Sequence, residues 1–304
     1  MSQNKKLLSG AILLFSVFLI WYLFIKESDY IINFKAKAAT RTIYQGIQDW
    51  AKIQSKKYNE NYTIKEKQNF DFINQELISN KEIFTYTWKI TSINDSVSQV
   101  SVAIKEKNAS IYNRITAPFF NTQFKQDQIQ KIKDFKEGLN RHIATYKVKI
   151  DGIGTSNETF VAYINLKSVA QEKAQTMIMN DGKITGFLHK NAIKIIGKPY
   201  LEVLSWDENK ETLNFNYCFP IAKNTTIIRD SIVKFKTIDA KKGLTATYYG
   251  NYRTSDRAWF SLIDYAKKYK YKLDKKPLEH YFANPFNGGD ELEWKTKIII
   301  PFSK

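Results

Sequence analysis

The chain has 304 residues, 43% of them hydrophobic and 14% aromatic, which is ample for packed cores and excludes a disordered protein. Its one cysteine, Cys218, excludes an intramolecular disulfide and a cysteine-rich zinc site, and we expect neither a metal nor a cofactor. The net charge of +17 comes from scattered lysines without a basic arm or a helix-turn-helix pattern. It is compatible with codon bias or an anionic membrane surface, and we expect no nucleic-acid partner.

The first predicted element is a membrane-spanning helix at Leu7–Ile25. The run carries no charge and is close to the roughly 20 residues that span hydrocarbon. A cleavable signal peptide is the alternative, but its apolar part is usually shorter and ends in small residues. This run ends in Phe24, Ile25, Lys26 and Glu27. We therefore predict an uncleaved anchor within residues 1–27.

The charges on either side of the span indicate its orientation. Lys5 and Lys6 precede it, and positive residues favour the cytoplasmic side. The prediction is a single-pass protein with a cytoplasmic N-terminus and an extracytoplasmic body, although Lys35 and Lys37 weigh against it.

Residues 28–144 are predicted to form an α+β domain. A strand-like segment and a helical one come first, four further strand-like segments follow, and a long amphipathic helix closes the domain. In chain order these segments are Tyr30–Lys37, Ala38–Ile53, Tyr62–Lys67, Phe70–Leu77, Ile83–Ile93, Val97–Lys105 and Thr122–Ile143. Such an order predicts a curved sheet wrapped around a helix.

This order of elements resembles the polyketide-cyclase/START superfamily, also called SRPBCC. The resemblance implies a helix-grip fold that encloses an apolar ligand cavity between the sheet and the final helix. Tyr86 and Trp88 are candidates to line that cavity, and simple core packing of both is the alternative.

Residues 145–304 contain a weak internal repeat, in which a strand is followed by a helix and two further strands. The first copy consists of Thr159–Val169, Ala170–His189, Pro199–Asp207 and Leu213–Ile221. The second consists of Gly243–Tyr252, Ser255–Tyr271, Pro277–Pro285 and Glu293–Phe302. We predict two β-α-β-β units that share one sheet, with both helices on one face.

The second copy resembles the GyrI-like domain, also known as the AraC-type effector-binding domain. The matching residues are Tyr248–Tyr252 (YYGNY), Trp259, Leu262, Glu279, Tyr281, Pro285 and the terminal Ile300-Pro301-Phe302. The resemblance implies a groove that binds small molecules, often amphipathic cations, with a buried glutamate as counter-charge. By position that residue is Glu279, and Glu202 is its approximate mate in the first copy, which lacks a clear tyrosine-glycine segment.

The chemistry of these residues agrees with such a groove. A carboxylate among aromatic rings is poorly solvated, so it gains from a cationic partner or takes up a proton, and the rings add cation–π attraction. The candidate ligand-binding residues are Glu279, Tyr281, Tyr249, Trp259, Glu202 and Tyr217. A strand glutamate that faces water while its aromatic neighbours face the core is the alternative.

Other chemistry is weakly indicated. No pair of histidines has metal-ligand spacing, and His280 is expected on the opposite strand face from Glu279. Asp151–Gly154 (DGIG) is predicted to be a turn, and Cys218 a small buried residue. The sequence thus favours a membrane-anchored, non-catalytic binder or sensor of an amphipathic small molecule. The alternatives are a hydrolase or cyclase with Glu279 as base, and an adaptor with vestigial grooves.

Overall fold

The computed structural model describes residues 3–58, 60–68, 70–79, 81–94, 97–283 and 285–303. The fold is mixed α+β, as predicted, and has two compact units that divide between Asn140 and Arg141. The ranges 1–27, 28–144 and 145–304, drawn from the sequence, stay predictions.

The chain begins with an apolar helix. Helix α1 spans Gln3–Ile20 and continues as a π-helical turn, Trp21–Ile25. No residue of Leu7–Ile25 is buried, and at 1.5 Å per residue these 19 residues extend for about 28 Å, which is close to the thickness of a bilayer core. The helix is therefore long and apolar enough to cross a membrane, a criterion that a signal sequence near the N-terminus can also meet.

The first unit packs an antiparallel sheet against helices. Its further elements are β1 (Tyr30–Ala36), α2 (Thr40–Tyr58), β2 (Asn61–Gln68), β3 (Phe72–Ser79), β4 (Glu82–Asn94), β5 (Val97–Glu106), α3 (Ser110–Thr116) and α4 (Gln123–Ile143). The order in the sheet is β1-β5-β4-β3-β2, so β1 and β2 form the edges.

The inner face of this sheet packs on α4. Tyr86 and Trp88 are wholly buried, as expected for core residues on alternate positions of a strand. The Trp88 ring lies 5.1 Å from that of Phe135, and the Tyr86 hydroxyl donates to the Gln128 side chain. Both aromatics therefore have core packing, the alternative to a cavity-lining role.

The second unit is an eight-stranded sheet with two long helices. Its elements are β6 (Tyr146–Thr155), β7 (Thr159–Val169), α5 (Lys173–Lys190), β8 (Tyr200–Asp207), β9 (Thr212–Pro220), β10 (Lys234–Ile238), β11 (Lys242–Gly250), α6 (Asp256–Tyr269), β12 (Leu278–Tyr281) and β13 (Lys295–Pro301). The order in the sheet is β10-β7-β9-β8-β12-β13-β11-β6. The segments β7-α5-β8-β9 and β11-α6-β12-β13 thus occupy opposite halves of the sheet, and β8 and β12 pair at its centre.

Two strands were not predicted from the sequence. Strand β6 precedes the first copy of the repeat but pairs with β11 of the second copy. Strand β10 precedes the second copy but pairs with β7 of the first copy, so β6 and β10 form the two edges of the sheet. The DGIG segment lies inside β6, where the register shifts opposite Thr245 and Gly152 has a φ of +91°. The predicted turn at Asp151–Gly154 was therefore wrong, because the segment continues the strand and Gly152 accommodates a β-bulge.

Gly250 ends β11 with a φ of +149°, which turns the chain towards α6. A Cβ atom there would lie 2.5 Å from the Tyr248 hydroxyl and 2.8 Å from the Cβ of Tyr146. We expect Gly250→Ala to destabilise the second unit by about 1–3 kcal/mol, measured by hydrogen exchange of the peptides of that unit. Gly182→Ala is the control, because a Cβ at that helical glycine meets open space and should not destabilise the domain. Equal stability of the two variants would contradict the strain argument.

Candidate functional site

One face of the central strands carries the site. Glu279, Leu201 and Tyr217 are directly opposed on β12, β8 and β9, so their side chains point to the same face. The Tyr217 hydroxyl donates to Asp181 on α5 over 2.8 Å. Ser255, which precedes α6, donates to Glu279 over 2.9 Å. Both helices therefore cover this face.

An open cleft of about 400 Å³ lies between α5 and the sheet. Its volume falls within the range usual for small-molecule sites, roughly 300–1,000 Å³. Helix α5, β9, the 3₁₀ turn Tyr252–Thr254, the end of β12 and the segment that leads to β13 supply its walls. Its lining includes Met177, Ile178, Asp181, Tyr217, Phe219, Tyr252, Arg253, Tyr281 and Trp294.

Three rings form one side of the cleft, here called the aromatic wall: Tyr252, Tyr281 and Trp294. The Tyr252 ring centroid lies 4.6 Å from that of Tyr281 and 5.7 Å from that of Trp294. The Tyr252 hydroxyl donates to the Ala283 carbonyl and accepts from the Ala283 amide, which fixes the ring. The wall is thus a rigid surface for a flat apolar group.

Glu279 lies behind this wall and is wholly buried. Its carboxylate accepts hydrogen bonds from the hydroxyls of Ser255 and Tyr281. Burial raises the pKa of Glu279 above its usual value, while the charge of Lys173 and the two hydroxyl donors oppose that rise. Since Tyr281 both lines the cleft and donates to Glu279, it connects the buried carboxylate to the cleft surface.

Further charges are buried where α5 and α6 begin. Lys173 is 0% exposed and its Nζ lies 3.7 Å from Oδ1 of Asp256. The other carboxylate oxygen, Oδ2, lies 3.1 Å from Nη1 of Arg257. Nζ is also 5.5 Å from the centroid of the Trp259 ring. We call Lys173, Asp256, Arg257 and Glu279 the buried charge cluster. A lysine without solvent needs such partners, because desolvation of an isolated ammonium is costly.

The structure separates the six residues predicted for the site. Tyr217 and Tyr281 line the cleft, and Glu279 lies beneath Tyr281. Trp259 is wholly buried against Lys173 and Trp206.

Tyr249 and Glu202 lie on the opposite face of the sheet. Glu202 is directly opposed to Leu278, the neighbour of Glu279, and is paired there with Lys236. Thr296 is opposed to both Tyr281 and Tyr248, so Tyr248 shares the face of Tyr281 and Tyr249 does not. The structure therefore does not bring Glu202 or Tyr249 to the cleft.

His280, as expected, faces away from Glu279. Its ring stacks on that of Tyr200 at 4.1 Å. Burial disfavours the imidazolium and lowers the pKa of His280 to about 4, with a smaller contribution from the charge of Lys297. The two residues therefore form no acid–base pair.

Asp181, Lys173, Ser255, Tyr252 and Trp294 were not predicted as site residues. Tyr252 belongs to the YYGNY segment, so the motif itself was the available signal. The others come from parts of the chain that lie far apart in sequence, and their proximity depends on the order of strands in the sheet.

The family comparison agrees with this geometry. The family model described as the GyrI-like small molecule binding domain matches residues 153–303. This part of the chain is a GyrI-like domain.

Solved structures similar to part of this chain include the following three. The EcmrR C-terminal domain is 18% identical over 52% of this chain and 98% of its own, with a TM-score of 0.44. SAV2435 bound to tetraphenylphosphonium is 12% identical over 52% and 93%, with a TM-score of 0.33. A hydrolase from Listeria innocua is 11% identical over 56% and 98%, with a TM-score of 0.34. The comparison with curated proteins gave no match.

Proposed function

We propose that this chain is a membrane-anchored protein that binds or senses amphipathic small molecules, organic cations among them, in the cleft of its GyrI-like domain. The observation that carries the proposal is the open cleft with the aromatic wall above Glu279. A groove filled by its own side chains would have favoured an adaptor. The rings of the wall offer apolar contact and cation–π attraction without demanding one ligand shape.

The charges around the cleft bear on the ligand. Asp181 and Glu279 are held in place by the hydroxyls of Tyr217 and Tyr281. Lys198 and Arg253 also line the cleft, but both are exposed, so their long side chains can turn to water. The carboxylates of Asp181, at the cleft, and of Glu279, beneath it, are therefore fixed charges that favour a cationic group.

Tetraphenylphosphonium is a suitable probe, because its aryl groups suit the aromatic wall and it carries one positive charge. It is also the compound bound by SAV2435. We expect Glu279→Gln to weaken its binding at least about tenfold, or about 1.4 kcal/mol, measured by isothermal titration calorimetry. Glu202→Gln is the matched control, since it removes a carboxylate from the opposite face of the same sheet. Unchanged affinity in Glu279→Gln, or an equal loss in both variants, would overturn carboxylate recognition.

The raised pKa of Glu279 predicts a pH dependence. The ionised carboxylate attracts a cation and the protonated form does not, so affinity should fall as pH decreases. Because burial raises this pKa, the fall should begin at a higher pH in the wild type than in Glu279→Gln. Calorimetric titrations across an acidic pH series test this, and superimposable profiles for the two proteins would contradict it.

We also propose a START-like first domain, a duplicated unit in the second domain and a membrane anchor. The antiparallel sheet packed on α4 supports a START-like helix-grip domain before the GyrI-like domain. The matching order of strands in the two halves of the eight-stranded sheet supports a duplicated β-α-β-β unit. Helix α1 supports the anchor. Lys5 and Lys6, which precede the span, favour a cytoplasmic N-terminus with the body outside the cytoplasm. Resistance of the full chain to alkaline extraction from membranes, with protease access to the body from outside only, tests the last point.

A further inference from the structure

Helix α3 has its polar and apolar sides reversed relative to a helix on a water-exposed surface. Asn113 and Arg114 are buried, and Ser110 donates to the buried Asp29. The apolar residues of the same helix point outwards: Ile111, Tyr112 and Ile115 are 45%, 63% and 50% exposed. A helix at a protein surface in water normally buries its apolar side and exposes its polar side.

The apolar side continues beyond the helix. Phe119 is 81% exposed and Phe120 is 64% exposed, and both lie within four residues of the end of α3. We call Ile111, Tyr112, Ile115, Phe119 and Phe120 the apolar patch. Single exposed hydrophobic residues are ordinary, but five within ten positions of the chain indicate an interaction surface.

Arg114 of α3 binds the π-helical turn that continues the apolar helix α1. Nη1 of Arg114 donates to the carbonyl of Leu23 over 2.8 Å, and Nε donates to Asp29 over 2.9 Å. The Tyr22 hydroxyl donates back to the Arg114 carbonyl over 2.9 Å. Only residues 26–29 separate the π-helical turn from β1. The patch is therefore held beside the C-terminal end of the proposed membrane span.

We infer that the apolar patch lies in the interfacial layer of the same bilayer that the anchor crosses. The inference rests on the proposed anchor, and the continuity of the patch with the end of that anchor identifies lipid as its occupant. Tyr and Phe side chains on a short amphipathic segment are suited to the boundary between head groups and acyl chains. The first unit is then fixed to the membrane at two places, the span and the patch.

Fluorescence quenching in the full chain tests whether the apolar patch contacts lipid or water. In a Cys218→Ala background, Phe119→Cys carries a fluorescent label on the patch, and Tyr112→Cys gives a second patch position. Ile64→Cys is the control: Ile64 is also exposed, on edge strand β2, four strand spacings of about 4.8 Å from β1. The proteins are reconstituted in phosphatidylcholine–phosphatidylglycerol vesicles with or without brominated acyl chains, after unchanged thermal unfolding shows that each variant is folded.

We expect brominated lipid to quench both patch labels and aqueous iodide to quench them less than the label at position 64. If brominated lipid and iodide each quench the patch labels to the same extent as the label at position 64, the inference is overturned. Patch labels shielded from iodide but unquenched by brominated lipid also overturn it, because protein then covers the patch. Alkaline extraction of the same vesicles tests the anchor separately: a protein that resists extraction but shows unquenched patch labels retains the anchor without the interfacial patch. Release of the wild type overturns both.

Discussion

Replacing Arg114 with Met is expected to destabilise the first unit by about 3–5 kcal/mol, the usual cost of removing one partner from a buried ion pair. Arg114 and Asp29 have side-chain exposures of 3% and 0%. Asp29 also accepts from the Glu106 amide and the Ser110 hydroxyl. Those neutral donors stay in the variant, but the carboxylate loses the guanidinium with which it is paired, in a place that water does not reach.

Hydrogen exchange with mass spectrometry is the measurement for this variant, because it reports on peptides of the first unit separately from the GyrI-like domain. A single free energy of unfolding is poorly defined for a chain with two units. We expect faster exchange in β1 and β5, with unchanged exchange in β11 and β13. The control is Asp49→Asn, which removes the exposed pair of Asp49 with Lys52 and should cost less than about 1 kcal/mol.

A double variant separates the ion pair from the loss of arginine packing. Asp29→Asn combined with Arg114→Met leaves no uncompensated charge, so it should recover part of the stability that Arg114→Met loses. Two results would contradict a stabilising ion pair between Arg114 and Asp29. One is a single variant that exchanges like the wild type. The other is a double variant that loses more stability than the two single variants lose together.

Periodicity predicted most of the helices and strands because their buried faces repeat regularly. The strand predicted at Thr159–Val169 has the bounds of β7, and the helix predicted at Thr122–Ile143 differs from α4 by one residue. Helix α3 could not be found in this way. Its apolar residues face outwards and its polar residues face inwards, so the pattern that normally indicates a buried face has the opposite meaning.

The site was predicted in part because one motif contained several of its residues. Tyr281 and Glu279 are two positions apart on one strand and share a face, as alternation requires. Glu202 was chosen by analogy between the repeat copies, but a shift of one position between neighbouring strands reverses the face. The same rule separates Tyr248 from Tyr249, and the sequence alone did not give the register that decides between them.

The second large effect concerns charge selectivity. We expect Lys173→Met to raise the preference of the cleft for tetraphenylphosphonium over tetraphenylborate at least about tenfold. Lys173 is a wholly buried cation within the buried charge cluster, and its charge opposes the rise in the pKa of Glu279. The charge of Lys173 thus already balances part of the negative charge of the carboxylates, which a cationic ligand would otherwise balance. At an effective dielectric constant of about 20 and a separation of about 8 Å, one unit charge contributes about 2 kcal/mol.

The two probes have nearly the same shape and opposite charges, so the ratio of their affinities cancels most apolar contact. Removal of Lys173 should strengthen cation binding and weaken anion binding by similar factors. Titrations under mildly alkaline conditions keep Glu279 ionised, since otherwise proton uptake would replace the lost lysine charge. Lys297→Met is the matched control, because Lys297 is opposed to His280 and therefore lies on the other face of the sheet.

A ratio that changes equally in Lys173→Met and Lys297→Met would mean that only the net charge of the domain matters. An unchanged ratio in Lys173→Met would mean that the charge cluster is screened from the cleft, and the role of Glu279 as counter-charge would then lose its physical basis as well. A selective rise has a broader consequence. With Lys173 present, the buried charges beneath the aromatic wall partly cancel, so apolar contact with the wall contributes more to binding than ligand charge does, and uncharged amphipathic molecules compete with cations for the cleft.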